Sequence, residues 1–171
     1  MKKILGIIMC LVLFISCGND DNNQEDQDAF EGCCSPDPVF GDNVNNLDQT
    51  QGEIVVVNLF TPNNDGVRDT FKIHNINLYA NHTVTIYNSN DEVLFESSNY
   101  GEYPNFFPSE QPNGITPYQD GTYKYKIVVE NEQTFLKSGT FCLFTNNPVI
   151  EQNFSECDPL ADGFDPIISG L

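Results

Sequence analysis

Tryptophan is absent from this 171-residue chain, histidine occurs twice, and lysine and arginine together occur seven times against 25 aspartates and glutamates. The shortage of basic side chains, with a formal net charge of −18, excludes a nucleic-acid binder, because phosphate contacts are made by Lys and Arg. It equally excludes docking on an anionic lipid surface through a basic patch. Long apolar runs are missing too. The run from Ile4 to Ile15 has 12 positions, and a spanning helix needs about 20. No window keeps a helical period, and no nucleophile elbow, metal-spaced histidine pair or glycine-rich phosphate loop occurs. The chain is therefore expected not to be an enzyme. Its two histidines, His74 opposite Phe71 and Ile73 and His82 in a turn, are expected to be solvated.

The chain does hold aromatics and short alternating runs. Thirteen Phe and seven Tyr can fill a core without tryptophan. Ile54 to Phe60 is nearly continuous apolar, as in a strand buried on both faces. Phe71 to His74, Thr83 to Tyr87 and Glu92 to Glu96 alternate. Thr122 to Glu130 alternates most regularly, with Tyr123, Tyr125, Ile127 and Val129 on one side. Thr134 to Phe144 closes the set, with Gly139 read as a bulge. Turn residues separate these runs, notably Pro62-Asn63-Asn64-Asp65-Gly66 and Gln119-Asp120-Gly121. The pattern predicts an all-β fold, an immunoglobulin-like antiparallel β-sandwich of six to seven strands over residues 53–144.

The flanks have other compositions. Lys2 and Lys3, the short apolar run and Ser16-Cys17 resemble a bacterial lipoprotein signal over residues 1–16, with Cys17 as the acylated residue. Its removal leaves five basic residues against 25 acidic ones. Residues 17–52 then read as an acidic, disordered tether, because residues 18–48 hold nine acids and no Lys or Arg. An acidic run directly after a lipidated cysteine resembles the surface-export signal of Bacteroidetes lipoproteins. That resemblance implies an outer-membrane lipoprotein exposed on the cell surface. Residues 145–171, with three prolines and five acids, read as a loop-like tail.

Cys33, Cys34, Cys142 and Cys157 remain for the exported chain. Oxidising surroundings favour two disulfides. A Cys33–Cys34 bridge would strain the local geometry, so Cys33 and Cys34 are expected to pair with Cys142 and Cys157 in either order. A zinc site is the rival reading, weakened by the lack of a CxxC pair or a nearby histidine.

One stretch is specific enough to name. Phe60-Thr61-Pro62-Asn63-Asn64-Asp65-Gly66-Val67-Arg68-Asp69-Thr70-Phe71 closely resembles the opening signature of the gliding motility-associated C-terminal domain, the type B sorting domain of type IX secretion. Val84-Thr85-Ile86-Tyr87-Asn88, Asp120-Gly121-Thr122-Tyr123-Lys124-Tyr125 and Lys137-Ser138-Gly139-Thr140-Phe141 resemble its later features. The chain departs from the family pattern at Ser89-Asn90-Asp91 and in the loop from Pro104 to Tyr118. The resemblance implies a β-sandwich that docks with secretion or cell-envelope partners.

Two further clusters are candidates for ligand chemistry. Asn63, Asp65 and Asp69 form an oxygen-rich turn that faintly resembles a calcium loop. The competing reading is a turn whose Asn and Asp side chains cap backbone N–H groups and whose Gly66 supplies a positive φ. No other cofactor is expected. The loop over residues 97–119 carries Tyr100, Tyr103, Phe106, Phe107 and Tyr118. Flat, stiff aromatics suit a glycan- or protein-docking surface, and the rival reading folds them onto the sandwich edge.

Overall fold

A computed structural model of the chain describes residues 28–35, 37–108, 118–130, 134–146, 157 and 165–169. The signal segment, Cys17 and the first part of the tether lie outside the described residues. Among the described residues seven strands follow in order: β1 Val55–Val56, β2 Leu59–Phe60, β3 Ile73–His74, β4 His82–Tyr87, β5 Val93–Ser97, β6 Gly121–Glu130 and β7 Thr134–Leu143. A single 3₁₀ turn, Ile76–Leu78, stands between β3 and β4, and a short helix α1, Pro166–Ser169, lies near the end. The strands form a two-stranded sheet, β1-β3, and a five-stranded sheet, β2-β7-β6-β4-β5. The all-β sandwich read from the sequence is the observed fold.

The long hairpin β6–β7 is the spine. It pairs antiparallel from Gly121 with Leu143 to Glu130 with Thr134. Period-2 alternation puts Tyr123, Tyr125, Ile127 and Val129 of β6 into the core, as their sequence pattern requires. Gly139 is not a bulge. It lies in regular register with Tyr125, and a Cβ there would come 2.8 Å from the Tyr125 hydroxyl. The missing side chain makes room for the ring. The register shift falls instead between Ile86 and Tyr87, where β4 pairs with β5.

Ile54 to Phe60 is not one strand. Val55–Val56 pairs with β3 in the small sheet, while Leu59–Phe60 pairs with β7 in the large one. The continuous apolar run serves two layers in turn. The β2–β7 pairing is parallel, so the sheet is mixed rather than purely antiparallel.

Aromatic rings fill the space between the sheets. Phe71 stacks on Phe141 at 4.2 Å between centroids, and Tyr123 stacks on the same Phe141 at 5.7 Å. Phe60 and Phe107 meet these rings edge-on or tilted. Each such ring contributes roughly 1.5–3 kcal/mol by burial, with offset and edge geometries favoured by ring quadrupoles. His82 is buried within β4, its Nδ1 2.6 Å from the Tyr79 carbonyl oxygen. The expectation of a solvated His82 is corrected: the strand begins one residue earlier than its alternation showed.

The expected tether is also corrected over residues 28–35 and 37–52. Phe30 is 2% exposed and belongs to a second buried cluster with Leu59, Phe144 and the four cysteines. The backbone N–H of Thr122 donates to Ala29 O at 2.8 Å. The Thr140 hydroxyl donates to Gly32 O and accepts from Ser35 N. Further on, Val44 pairs with Leu136 through reciprocal backbone hydrogen bonds of 2.8 and 3.0 Å. This segment covers the part of β7 that β2 leaves unpaired. Composition averaged over the stretch hid a single buried phenylalanine and a row of backbone hydrogen bonds.

Candidate functional site

The signature turn follows β2 directly. Thr61 is fully buried, and its N–H donates to Arg68 O at 2.9 Å, closing the loop at its base. Asn64, Gly66 and Arg68 hold positive φ of 66°, 89° and 53°. Asn and Gly adopt this region at small cost, which accounts for their places in the motif. Asp69 accepts from Asn64 N at 2.6 Å with one carboxylate oxygen and from Gly66 N at 2.7 Å with the other. Asp65 accepts from Val67 N and from the Asn63 amide, each at 2.8 Å. Every carboxylate oxygen of the two acids thus serves a donor within the turn, which is the geometry of the capping reading. Pro62 sits between Thr61 and Asn63, where its fixed φ and missing N–H suit a turn. Phe71, at the far end, anchors the loop in the core.

Beneath this turn the early segment 28–35 and the late segment 165–169 meet. The Thr61 hydroxyl donates to the carboxylate of Asp165, itself only 1% exposed and also accepting from Ile167 N at 2.9 Å. Ile167 and Ile168 pack on the cluster of Phe30, Leu59 and Phe144. The expected loop-like tail is docked at these residues; residues 147–156, 158–164 and 170–171 lie outside the described residues. Sequence reading missed the Asp165 contact, since one acid among five in a tail carries no mark of burial.

The four cysteines converge in the same cluster, all buried, with Sγ atoms within 4.8 Å of one another. Cys33 is joined to Cys142 and Cys34 to Cys157, with Cα separations of 5.4 and 5.2 Å, inside the usual disulfide range. Zinc would need these sulfurs as thiolates, so a metal site and the two bridges are mutually exclusive uses of the cluster.

The aromatic loop divides. Tyr100 is 1% exposed, and its hydroxyl donates to Phe71 O and accepts from Phe107 N. Burial pushes its phenol well above the usual tyrosine range. Phe107 is fully buried against Phe60, Phe95 and Phe141. Tyr100 and Phe107 are therefore core residues, which corrects their reading as binding residues. Phe106 is half-buried edge-on to Tyr100, Tyr103 is 73% exposed, and Tyr118 is half-buried over Phe107 at 4.7 Å. Each apolar ring had two good homes, core or ligand, and only the tertiary contacts separate them.

The signature turn, the β6–β7 spine and the aromatic core all fall in one stretch, and residues 54–143 match the model of the CHU_C type IX secretion signal domain. The chain belongs to this family. No characterised protein and no solved structure matches it. CHU_C domains are non-catalytic sorting domains, so the chain is a protein of type IX secretion, secreted or held at the cell envelope.

Proposed function

We propose that this CHU_C chain is a lipid-anchored protein of the outer membrane, displayed at the cell surface, whose sandwich docks with secretion or envelope proteins and performs no catalysis. The observation that carries this reading is the signature turn. Its Asn63, Asp65, Gly66 and Asp69 build a self-bonded projection above the buried Thr61, and the family match brackets it. Cys17 supplies the acylation site and the acidic stretch after it the outward address. The export test fuses residues 28–171 to a reporter behind a plain export signal. The fusion starts at 28 so that Cys33 and Cys34 can close their bridges. Reporter at the surface only in cells with an intact type IX system is the expected result; reporter retained in the periplasm refutes docking with that machinery. The anchor is tested separately. Alkynyl-palmitate labelling of the full chain is expected, with loss in Cys17→Ala.

A further inference from the structure

A cleft of about 620 Å³ opens where the segment 28–31, the turn after β4, the start of β6 and Thr140 of β7 meet. Its size is that of a ligand site. Gly121 shapes it. At φ 149° it brings the start of β6 so close to the 28–31 segment that a Cβ would lie 2.8 Å from Ala29 O.

The lining restricts the chemistry. Leu94 and Ala29 are its few aliphatic members, so a greasy ligand has little to bury. Among the described residues Asp28, Glu31 and Asp120 face it against a single cation, Lys124. That lysine is already held by Asp91 at 2.7 Å and Ser89 O at 3.1 Å. Phosphates and acidic glycans are disfavoured. Asp120 is not poised for a cation either. One of its oxygens accepts from Thr145 N and the Thr145 hydroxyl, and the other from Asn146 N.

What remains is neutral and polar beside two tyrosine rings, of which Tyr123 is buried. Tyr118 is half-exposed and fixed from behind by Phe107 at 4.7 Å and Tyr123 at 6.5 Å. The Asn90 and Gln119 side-chain amides line the cleft, solvent-exposed, and make no internal hydrogen bond among the described residues. Thr122 also lines the cleft, but its Oγ1 is buried out of a ligand's reach and has no hydrogen-bond partner among the described residues. Amides that both donate and accept beside a pre-set aromatic ring match the hydroxyl edges and alternating C–H faces of a sugar.

We propose that this cleft binds a neutral oligosaccharide, with Tyr118 as the stacking platform and Asn90 and Gln119 as hydrogen-bonding groups. The site stands independently of the docking role proposed above, and gives the displayed domain a glycan to hold.

The test titrates the full chain, in a sugar-free zwitterionic detergent, with cellopentaose, maltopentaose and chitopentaose, with trigalacturonate as the anionic arm and hexalysine as the cationic arm. Calorimetry is expected to show at least one neutral sugar binding with Kd on the order of 0.1 mM, unchanged by salt because no charge is paired. Tyr118→Ala should weaken binding at least about tenfold and Tyr118→Phe less than about threefold. The Asn90→Ala/Gln119→Ala double variant touches only exposed, internally unbonded amides. It should weaken binding about tenfold with an unchanged Tm, which guards against misfolding in Tyr118→Ala. No neutral binding at about 10 mM, binding of hexalysine or trigalacturonate alone, or sugar binding that every variant leaves intact would overturn the proposal.

Discussion

The two bridges are not independent, and their coupling is measurable. Cys33–Cys142 spans 109 residues and Cys34–Cys157 spans 123. In the chain-entropy account a loop of either length stabilises by about 5 kcal/mol when it is the only cross-link. Once one bridge is closed, however, the second closes only a short circuit. That circuit is the single step from Cys33 to Cys34 plus the 15 from Cys142 to Cys157. Such a loop is worth about 3 kcal/mol. Removing either bridge alone should therefore cost about 3 kcal/mol, and removing both about 8 kcal/mol, more than twice as much. For a domain of this size a 3 kcal/mol loss lowers Tm by about 12 °C. The assay is urea unfolding of Cys33→Ala/Cys142→Ala, Cys34→Ala/Cys157→Ala and the quadruple variant, with thiol counting under denaturing conditions. Both members of a pair are replaced so that no lone thiol can exchange with the neighbouring bridge. Single-bridge losses that add up to the quadruple loss would refute the nested-loop reasoning. A quadruple variant within about 2 kcal/mol of the parent would show that packing of Phe30 and Ile167 already holds the ends.

Alkali should unfold the domain through its core phenols. Tyr125 is held up to about 12 by burial, and Tyr123 to about 12 chiefly by burial with a smaller push from Asp120. The unfolded chain releases these protons near pH 10, so stability is intact below that and falls from pH 10 toward 12. Tyr125 alone accounts for about 2 kcal/mol by pH 12; tyrosinate absorbance rising in step with loss of circular dichroism checks it. In the signature turn, Gly66→Ala meets no atom within 4 Å but keeps a φ of 89°, so its cost should be about 1–2 kcal/mol of backbone strain, read by urea unfolding. Asp69→Ala strips acceptors from two backbone N–H groups and should cost about 1–2 kcal/mol. Chelation with EDTA should leave the parent Tm unchanged if these oxygens serve the turn alone, and a calcium-dependent Tm would overturn that reading. Thr61→Val deprives the buried Asp165 carboxylate of a donor and should cost about 1.5–3 kcal/mol, seen as faster proteolysis of the tail.

The legibility of this chain follows the range of each signal. β6 could be read residue by residue because alternation is local, and its burial follows that alternation throughout. The signature turn could be read because its hydrogen bonds run between residues two to five apart. What escaped is made by contacts across the chain. Phe30 is one apolar residue in an acidic stretch, and its burial depends on Phe144. Asp165 is buried because Thr61, 104 residues away, turns a hydroxyl toward it. Tyr100 and Phe107 were legible as aromatic but not as core, since their fate is set by Phe71, which receives the Tyr100 hydroxyl and donates its own N–H to Phe107 O.

The same reasoning explains why the site candidates shifted. A ring in a loop is free to bind only if no core position claims it, and in this sandwich the gap between sheets claims Tyr100 and Phe107. Tyr118 packs on Phe107 and Tyr123 yet stays half-exposed, and its neighbours in the cleft come from separate segments. Those neighbours include Ser89 and Asn90 and adjoin the loop ending at Tyr118, where the chain parts from the family pattern. The residues that keep the pattern build the frame, from Thr61 at the turn to Gly139 beneath Tyr125. The signature turn and the cleft's two amides come from different residues and can be broken separately. Asp69→Ala should loosen the turn and leave the cleft's ligand affinity intact, while Asn90→Ala/Gln119→Ala should do the reverse.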